Sequence, residues 1–191
     1  MLLVFWLGLG AVVIAIVVWV RSSVVENPGQ MATHLSQWCS FTPPERFTPH
    51  RETQFFGNHS FAWWDTEHVR EDGRTLAVIA FYRERHWQGA SFQEAFQSFQ
   101  KEANRRLNEL EFHPDDMTFE KSPQDAYPVL VFRGQQRIED RWVRGTTCWR
   151  FLPFEPFPFR AQTLGTDDSF PLEEQLQVLR AIEPARKDGS P

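Results

Sequence analysis

Four residues in the first half of the chain carry the side chains of a metal site: His59, Asp65 and His68 lie close together, and His86 follows a short way on. Imidazole nitrogens with a carboxylate suit zinc or a similar ion. Their spacing argues against it. On a strand His59 and Asp65 share a face, but His68 falls past the strand's end, and no helical i, i+4 histidine pair of the His-Glu-x-x-His kind occurs. Solvated polar positions between buried aromatics account for these residues better, so no metal or other cofactor is expected.

Cys148 is the one candidate nucleophile. A reactive thiolate needs a neighbouring cation, imidazole or helix N-terminus, whereas Cys148 sits between Thr147 and Trp149 in a strand-like context. It reads as a buried thiol or as a disulfide partner for Cys39. The nucleophile elbow, the phosphate-binding loop and the dinucleotide glycine fingerprint are all missing, and Asp115 with Asp116 reads as a helix-ending turn, not an acid and base pair. No catalytic residue is expected, and the chain is not read as an enzyme.

The remaining candidates are aromatic. Leu152, Pro153, Phe154, Glu155, Pro156, Phe157, Pro158 and Phe159 alternate Pro with Phe, which favours a stiff extended loop. Its rings either cap the core from an edge strand, or meet a partner or the membrane interface as rigid exposed aromatics. Trp63 and Trp64 pose the same choice, because neighbouring strand positions face opposite ways. Phe154, Phe157, Phe159, Trp63 and Trp64 are therefore the candidate partner-binding residues. The sequon at Asn58, His59 and Ser60 is treated as chance.

The elements that must position these residues begin with an apolar run. Residues 2–20, from Leu2 to Val20, contain no charge and no Pro, enough for a helix of about 28 Å that crosses a bilayer core. No basic residue precedes the run, and it ends on Trp19, Val20 and Arg21, which suit the headgroup level, so an uncleaved anchor is expected over residues 1–21. An N-terminal anchor followed by a large domain points that domain out of the cytoplasm. Of the 191 residues, 15% are aromatic, which implies a well-filled core, while a net charge of -5 excludes the basic footprint of a nucleic-acid binder.

Residues 22–50 read as a linker with one possible short helix, where Asn27 and Pro28 signal a start and Met31, Leu35 and Trp38 follow at helical spacing. Residues 51–184 form the domain, and 185–191 a flexible tail. Within the domain, Phe61 to Trp64 and Thr75 to Tyr82 flank Asp72 and Gly73 as a hairpin. Ser91 and Glu94 form a capping box for a helix whose Phe92, Ala95, Phe96, Phe99, Ala103, Leu107 and Leu110 occupy an arc of about 120°. Strands over 117–120, 129–132, 138–143, 148–154 and 159–164 follow as an antiparallel meander. A closing helix from Pro171 carries Leu172, Leu176, Leu179 and Ile182.

The fold class is therefore α+β, an antiparallel sheet packed with two helices. The order of elements, from the strand at Thr75 to Tyr82 into the helix at Ser91 to Leu110, the hairpins from Val129 to Phe154 and the terminal Val178, Leu179, Arg180, Ala181 and Ile182, resembles the PsbP-like sandwich family, which includes PsbP and DcrB. That resemblance implies a non-enzymatic binding or assembly role, and no functional residue is carried over from it. The expected function is a single-pass, membrane-anchored accessory subunit that docks on a membrane protein complex. The alternatives are a small-ligand or lipid binding module in the groove between helix and sheet, and a metal or thiol enzyme.

Overall fold

The computed structural model describes residues 24–25, 27–55, 58–83, 110–120, 127, 129–152 and 158–185, with scattered helical positions between 94 and 108. Among these no helix is long and apolar enough to cross a membrane. The expected span at 2–20, the tail at 186–191, His86, Phe154 and Phe157 lie outside the described residues.

The elements are β1 (Val24–Val25), α1 (Pro28–Ser36), β2 (Cys39–Ser40), β3 (Phe47–Phe55), β4 (Asn58–Asp65), β5 (Ala77–Arg83), β6 (Phe112–Glu120), β7 (Val129–Ile138), β8 (Arg141–Leu152), β9 (Phe159–Thr166), α2 (Leu172–Arg180) and β10 (Glu183–Pro184). Eight strands form one sheet in the order β1-β3-β4-β5-β9-β8-β7-β6, and β10 with β2 forms a small second one. All pairings are antiparallel. The α+β class is thus as expected.

Strand alternation divides the buried side chains between two faces. One face carries Phe61, Trp63, Ile79, Phe81, Cys148 and Phe159, covered by Met31 and Leu35 of α1 and Leu176 and Leu179 of α2. The other carries Leu130, Phe132, Trp149 and Phe151, covered by Ala103 and Leu107. The neighbouring strands β8 and β9 are buried along most of their length, although they hold Thr146, Thr147, Arg150, Arg160, Gln162 and Thr163. Each buried guanidinium has its own setting. Arg160 lies over the rings of Tyr82 at 4.4 Å and Trp149 at 5.2 Å. Arg150 donates to the carbonyl oxygens of Leu179 at 2.7 Å and of Arg180 and Ile182 at 3.2 Å. The last carbonyls of a helix have no intrahelical donor, so this side chain caps α2 from the sheet.

The opposite end of α2 is tied as firmly. Arg46 places Nη2 2.8 Å from Glu174 and Nε 3.5 Å from the buried Asp65. In the middle, Gln175 donates to the carbonyls of Phe170 and Thr146 and accepts from the Thr163 hydroxyl.

Four expectations are corrected. Residues 22–50, read as a linker, contain the expected short helix, capped by the Asn27 side chain, but Met31, Leu35, Trp38, Cys39 and Phe47 are buried in the main core. Too few apolar residues mark that stretch for its burial to show locally. The domain's strands, expected from residue 51 on, begin before it: β3 runs through Pro49 beside a register shift between Pro49 and Arg51, where a ladder donor is dispensable. Asp115 and Asp116 lie in β6, not in a turn; the helix is closed instead by Glu111 at φ 52. The strand expected over 138–143 is instead broken by a turn at Glu139 and Asp140, while Gly134 and Gly145, expected between strands, lie within β7 and β8 and pair with each other. A Cβ on Gly134 would collide with the His113 carbonyl oxygen at the β6 bulge, so the glycine admits a close strand approach.

Removing Arg150 takes the Nη1 donor from three carbonyls, of which that of Leu179 keeps the Ile182 N–H at 3.3 Å. Arg150→Met is expected to lower stability by about 2–3 kcal/mol. Arg150→Lys should fall between it and the parent, because an ammonium keeps the charged donor but not the reach and fixed geometry of the guanidinium. Urea unfolding checks this, and an unchanged midpoint for Arg150→Met would refute the capping role.

Candidate functional site

The residues weighed as a metal set are drawn apart. His59 and Asp65 stand at opposite ends of β4, about 20 Å apart at the usual strand rise. Among the described residues no group of three His, Cys, Asp or Glu side chains is arranged to hold a metal ion. Asp65, nearly fully buried, receives the backbone N–H of Glu67 at 2.8 Å and pairs with His68 Nδ1 at 2.9 Å and with Arg46. It therefore anchors the start of the loop after β4. His59 Nε2 lies 2.6 Å from Glu52 Oε1, and His34 Nδ1 lies 2.8 Å from the same carboxylate. A carboxylate only accepts, so His59 carries its proton on Nε2 and His34 on Nδ1.

Glu52 is 2% exposed, which makes this a buried carboxylate answered by two imidazoles joining α1, β3 and β4. Burial lowers the His59 pKa, with a smaller lowering by the charges of Arg83 and His34; the hydrogen bond and charge of Glu52 oppose it less strongly.

Cys39 and Cys148 are free thiols, both buried, so the disulfide weighed from the sequence is not formed. Burial pushes each up to about 12, although a hydrogen bond involving Thr163 and the charge of Arg133 pull the other way at Cys148. Neither offers a thiolate near neutral pH.

Of the candidate docking aromatics, Phe159 is 0% and Trp63 2% exposed; both are core. Strand alternation sends Trp64 to the other face, where it stacks on His50 with ring centroids 3.3 Å apart. There it lines an open cleft of about 440 Å³. Val78 of β5 and Leu110 at the helix end add apolar walls, the loop between β4 and β5 adds Arg70, Arg74 and Thr75, and Glu111, Gln136 and Arg137 close the far side.

The loop is built for its role. Gly73, at φ 81, turns a small hairpin closed by the Val69 and Thr75 bridge, and the Arg70 N–H donates to the Arg74 carbonyl across it. Arg70 Nη2 pairs with Asp72 at 3.0 Å and approaches Glu139 at 3.8 Å. Arg137 Nε donates to the Glu139 carbonyl, and its backbone N–H bonds the Glu111 carbonyl at 2.9 Å, which joins β7 to the helix end. Two polar atoms on this lining are left over: Arg70 Nε and Gln136 Oε1 are buried without a hydrogen-bond partner among the described residues. Such groups are costly unless something answers them. Sequence reasoning singled out Trp64 and the groove between helix and sheet; nothing local marked Arg70, Gln136 or Arg137.

Because the folded His59 pKa is lowered, the unfolded chain takes up this proton first as pH falls. The stability that neutral His59 contributes is present above about pH 6.5 and is lost on acidification below it. Urea midpoints should therefore drop between about pH 7 and pH 5. His59→Gln, whose amide still donates to Glu52, should flatten that slope; an identical slope in the variant would place the pH dependence elsewhere.

No protein-family model and no curated protein matches the chain. Among solved structures it is similar to LpqN, described as involved in cell envelope biogenesis of Mycobacterium tuberculosis, with a TM-score of 0.41 and 11% identity over 78% of this chain and 83% of that one. A likeness of that extent carries no conclusion about function.

Proposed function

We propose that this chain is a membrane-tethered, non-catalytic binding protein whose small ligand occupies the cleft between the helix end and the sheet. The observation that carries the reading is the open cleft in which the ring of Trp64 meets Arg70, Glu111, Gln136 and Arg137. A mostly preformed concavity with a few converging polar groups and apolar walls is the usual form of a small-molecule site, and about 440 Å³ lies within the usual range. The tether is the charge-free run at 2–20, with the domain on the extracytoplasmic side. The PsbP-like order of elements, with its non-enzymatic roles, agrees with this reading.

One observation favours docking on a membrane protein complex as a second reading. Met117 and Phe119, two residues apart on the edge strand β6, are 48% and 50% exposed on the same face. An outer strand with exposed apolar side chains is a surface to which another protein can add a strand.

Native mass spectrometry of the full chain, extracted from its source membrane in mild detergent, separates the two readings. The expected result is a small companion molecule that is lost in Trp64→Ala while the domain stays folded. Protein companions lost instead in the double variant Met117→Lys with Phe119→Lys would favour docking and count against the cleft.

A further inference from the structure

The chemistry of the cleft lining narrows the class of ligand. This step rests on reading the cleft as a ligand site. Three guanidiniums, of Arg70, Arg74 and Arg137, would at first sight suit an anion. Their charges are already answered: Arg70 by Asp72 at 3.0 Å and Glu139 at 3.8 Å, Arg74 by Asp72 at 3.7 Å, and Arg137 by Asp140 at 3.8 Å. Glu111 adds a further carboxylate on the lining itself. Each of these cations has a carboxylate beside it, so an anion entering here competes with carboxylates already present.

The lining offers hydrogen-bonding groups of both senses. The guanidinium N–H groups of Arg70 and Arg137 are donors, and the Gln136 amide carries both a donor and an acceptor, although its Oε1 and Arg70 Nε themselves have almost no accessible surface. The Glu111 carboxylate accepts, and the guanidiniums donate. A hydroxyl group supplies one donor and two acceptor lone pairs, so a ligand bearing several hydroxyls meets both senses at once, which a carboxylate, an acceptor only, cannot do. Exchanging the amide oxygen and nitrogen of Gln136 would not alter this, because a hydroxyl serves either orientation. The apolar side of the cleft consists of Trp64, held in place by His50 stacked upon it, with Val78 and Leu110. A ring whose faces present C–H groups and whose rim presents hydroxyls matches an aromatic wall flanked by planar polar side chains.

We infer that the cleft is a saccharide-binding site, in which Trp64 packs against the C–H face of a pyranose ring while Arg70, Gln136, Glu111 and Arg137 divide its hydroxyls. The free sugar and the sugar headgroup of a glycolipid share this chemistry.

The test uses the full chain in a sugar-free detergent and saturation-transfer NMR. The probes are glucose, galactose, mannose and N-acetylglucosamine with their short oligomers, vesicles containing a glycosyl diacylglycerol, and inorganic phosphate and benzoate as anions without the hydroxyl pattern. The expected result is saturable binding of at least one saccharide, with transfer strongest to ring C–H protons. Trp64→Ala should weaken it about tenfold, the upper end for loss of an aromatic contact. Arg137→Gln, at a half-exposed position where folding is not at risk, should weaken it more modestly. Binding to the glycolipid vesicles but not to free sugars identifies the headgroup as the source, and the reverse identifies the free sugar; both support the inference. Binding of phosphate or benzoate that is lost in Trp64→Ala, with no saccharide bound, overturns the ligand class and leaves the cleft as a site. Saccharide binding undiminished in both folded variants overturns the location. Silence of every probe, together with no small companion in the native mass spectrum, overturns the saccharide and the cleft reading alike.

Discussion

The guanidinium of Arg150, buried inside the sheet, is answered by the carbonyls that end α2 and follow it. Arg150 reaches the Leu179, Arg180 and Ile182 oxygens from the middle of β8. This interaction fixes more than one helix. A helix of nine residues has little stability of its own and depends on its packing. Arg150 holds one end, the Arg46 pair with Glu174 the other, and Gln175 the centre. The sheet therefore dictates where α2 lies, and α2 in turn covers the face that carries Phe61, Phe81 and Phe159. Beyond α2 the chain pairs β10 with β2, which places Cys39 and Trp38 in the same core and draws the segment before β3 into the domain.

The two faces then take different chemistry. On the α1 and α2 face, polar groups are paired internally: Glu52 with two imidazoles, Asp65 with Arg46, His68 and backbone amides, and Thr163 with Gln175. Ionised groups at such depth are tolerable only when nearly all their lone pairs are used. On the other face, where Trp64 emerges beyond the helical cover, two buried polar atoms stay unanswered beside an open cleft. A buried nitrogen without a hydrogen bond also occurs at Arg46 on the α2 face, so what distinguishes the candidate binding site from the structural histidine cluster is the open cleft beside Trp64.

Elements with dense apolar periodicity were readable from the sequence. The hairpin of β4 and β5 with its Asp72 and Gly73 turn, and the stripe of Leu172, Leu176 and Leu179 on α2, all appear where periodicity places them. The segments that escaped have a common feature. In β3 the sequence from Phe47 to Phe55 is mostly polar and contains Pro, and in β6 two adjacent aspartates and a Pro sit beside a bulge. Both depart from strand propensity, and both are held by long ladders to neighbours, so tertiary pairing outweighs the local preference. The burial of β8 and β9 was hidden for a related reason: their inward residues include Thr, Gln and Arg, whose partners come from elsewhere in the chain.

The sequence by itself determined the α+β class, the start of each short helix and the alternation that sends Trp63 and Trp64 to opposite faces, because capping and side-chain period are properties of a few adjacent residues. It did not determine which polar residues would meet. His34, Glu52 and His59 converge only because α1 packs on β3 and β4, and Trp64, Arg70, Glu111 and Gln136 line one cleft only because β5 pairs with β9 and not with β6. Strand order is fixed by the summed burial and pairing of the whole domain, a quantity that no local window contains.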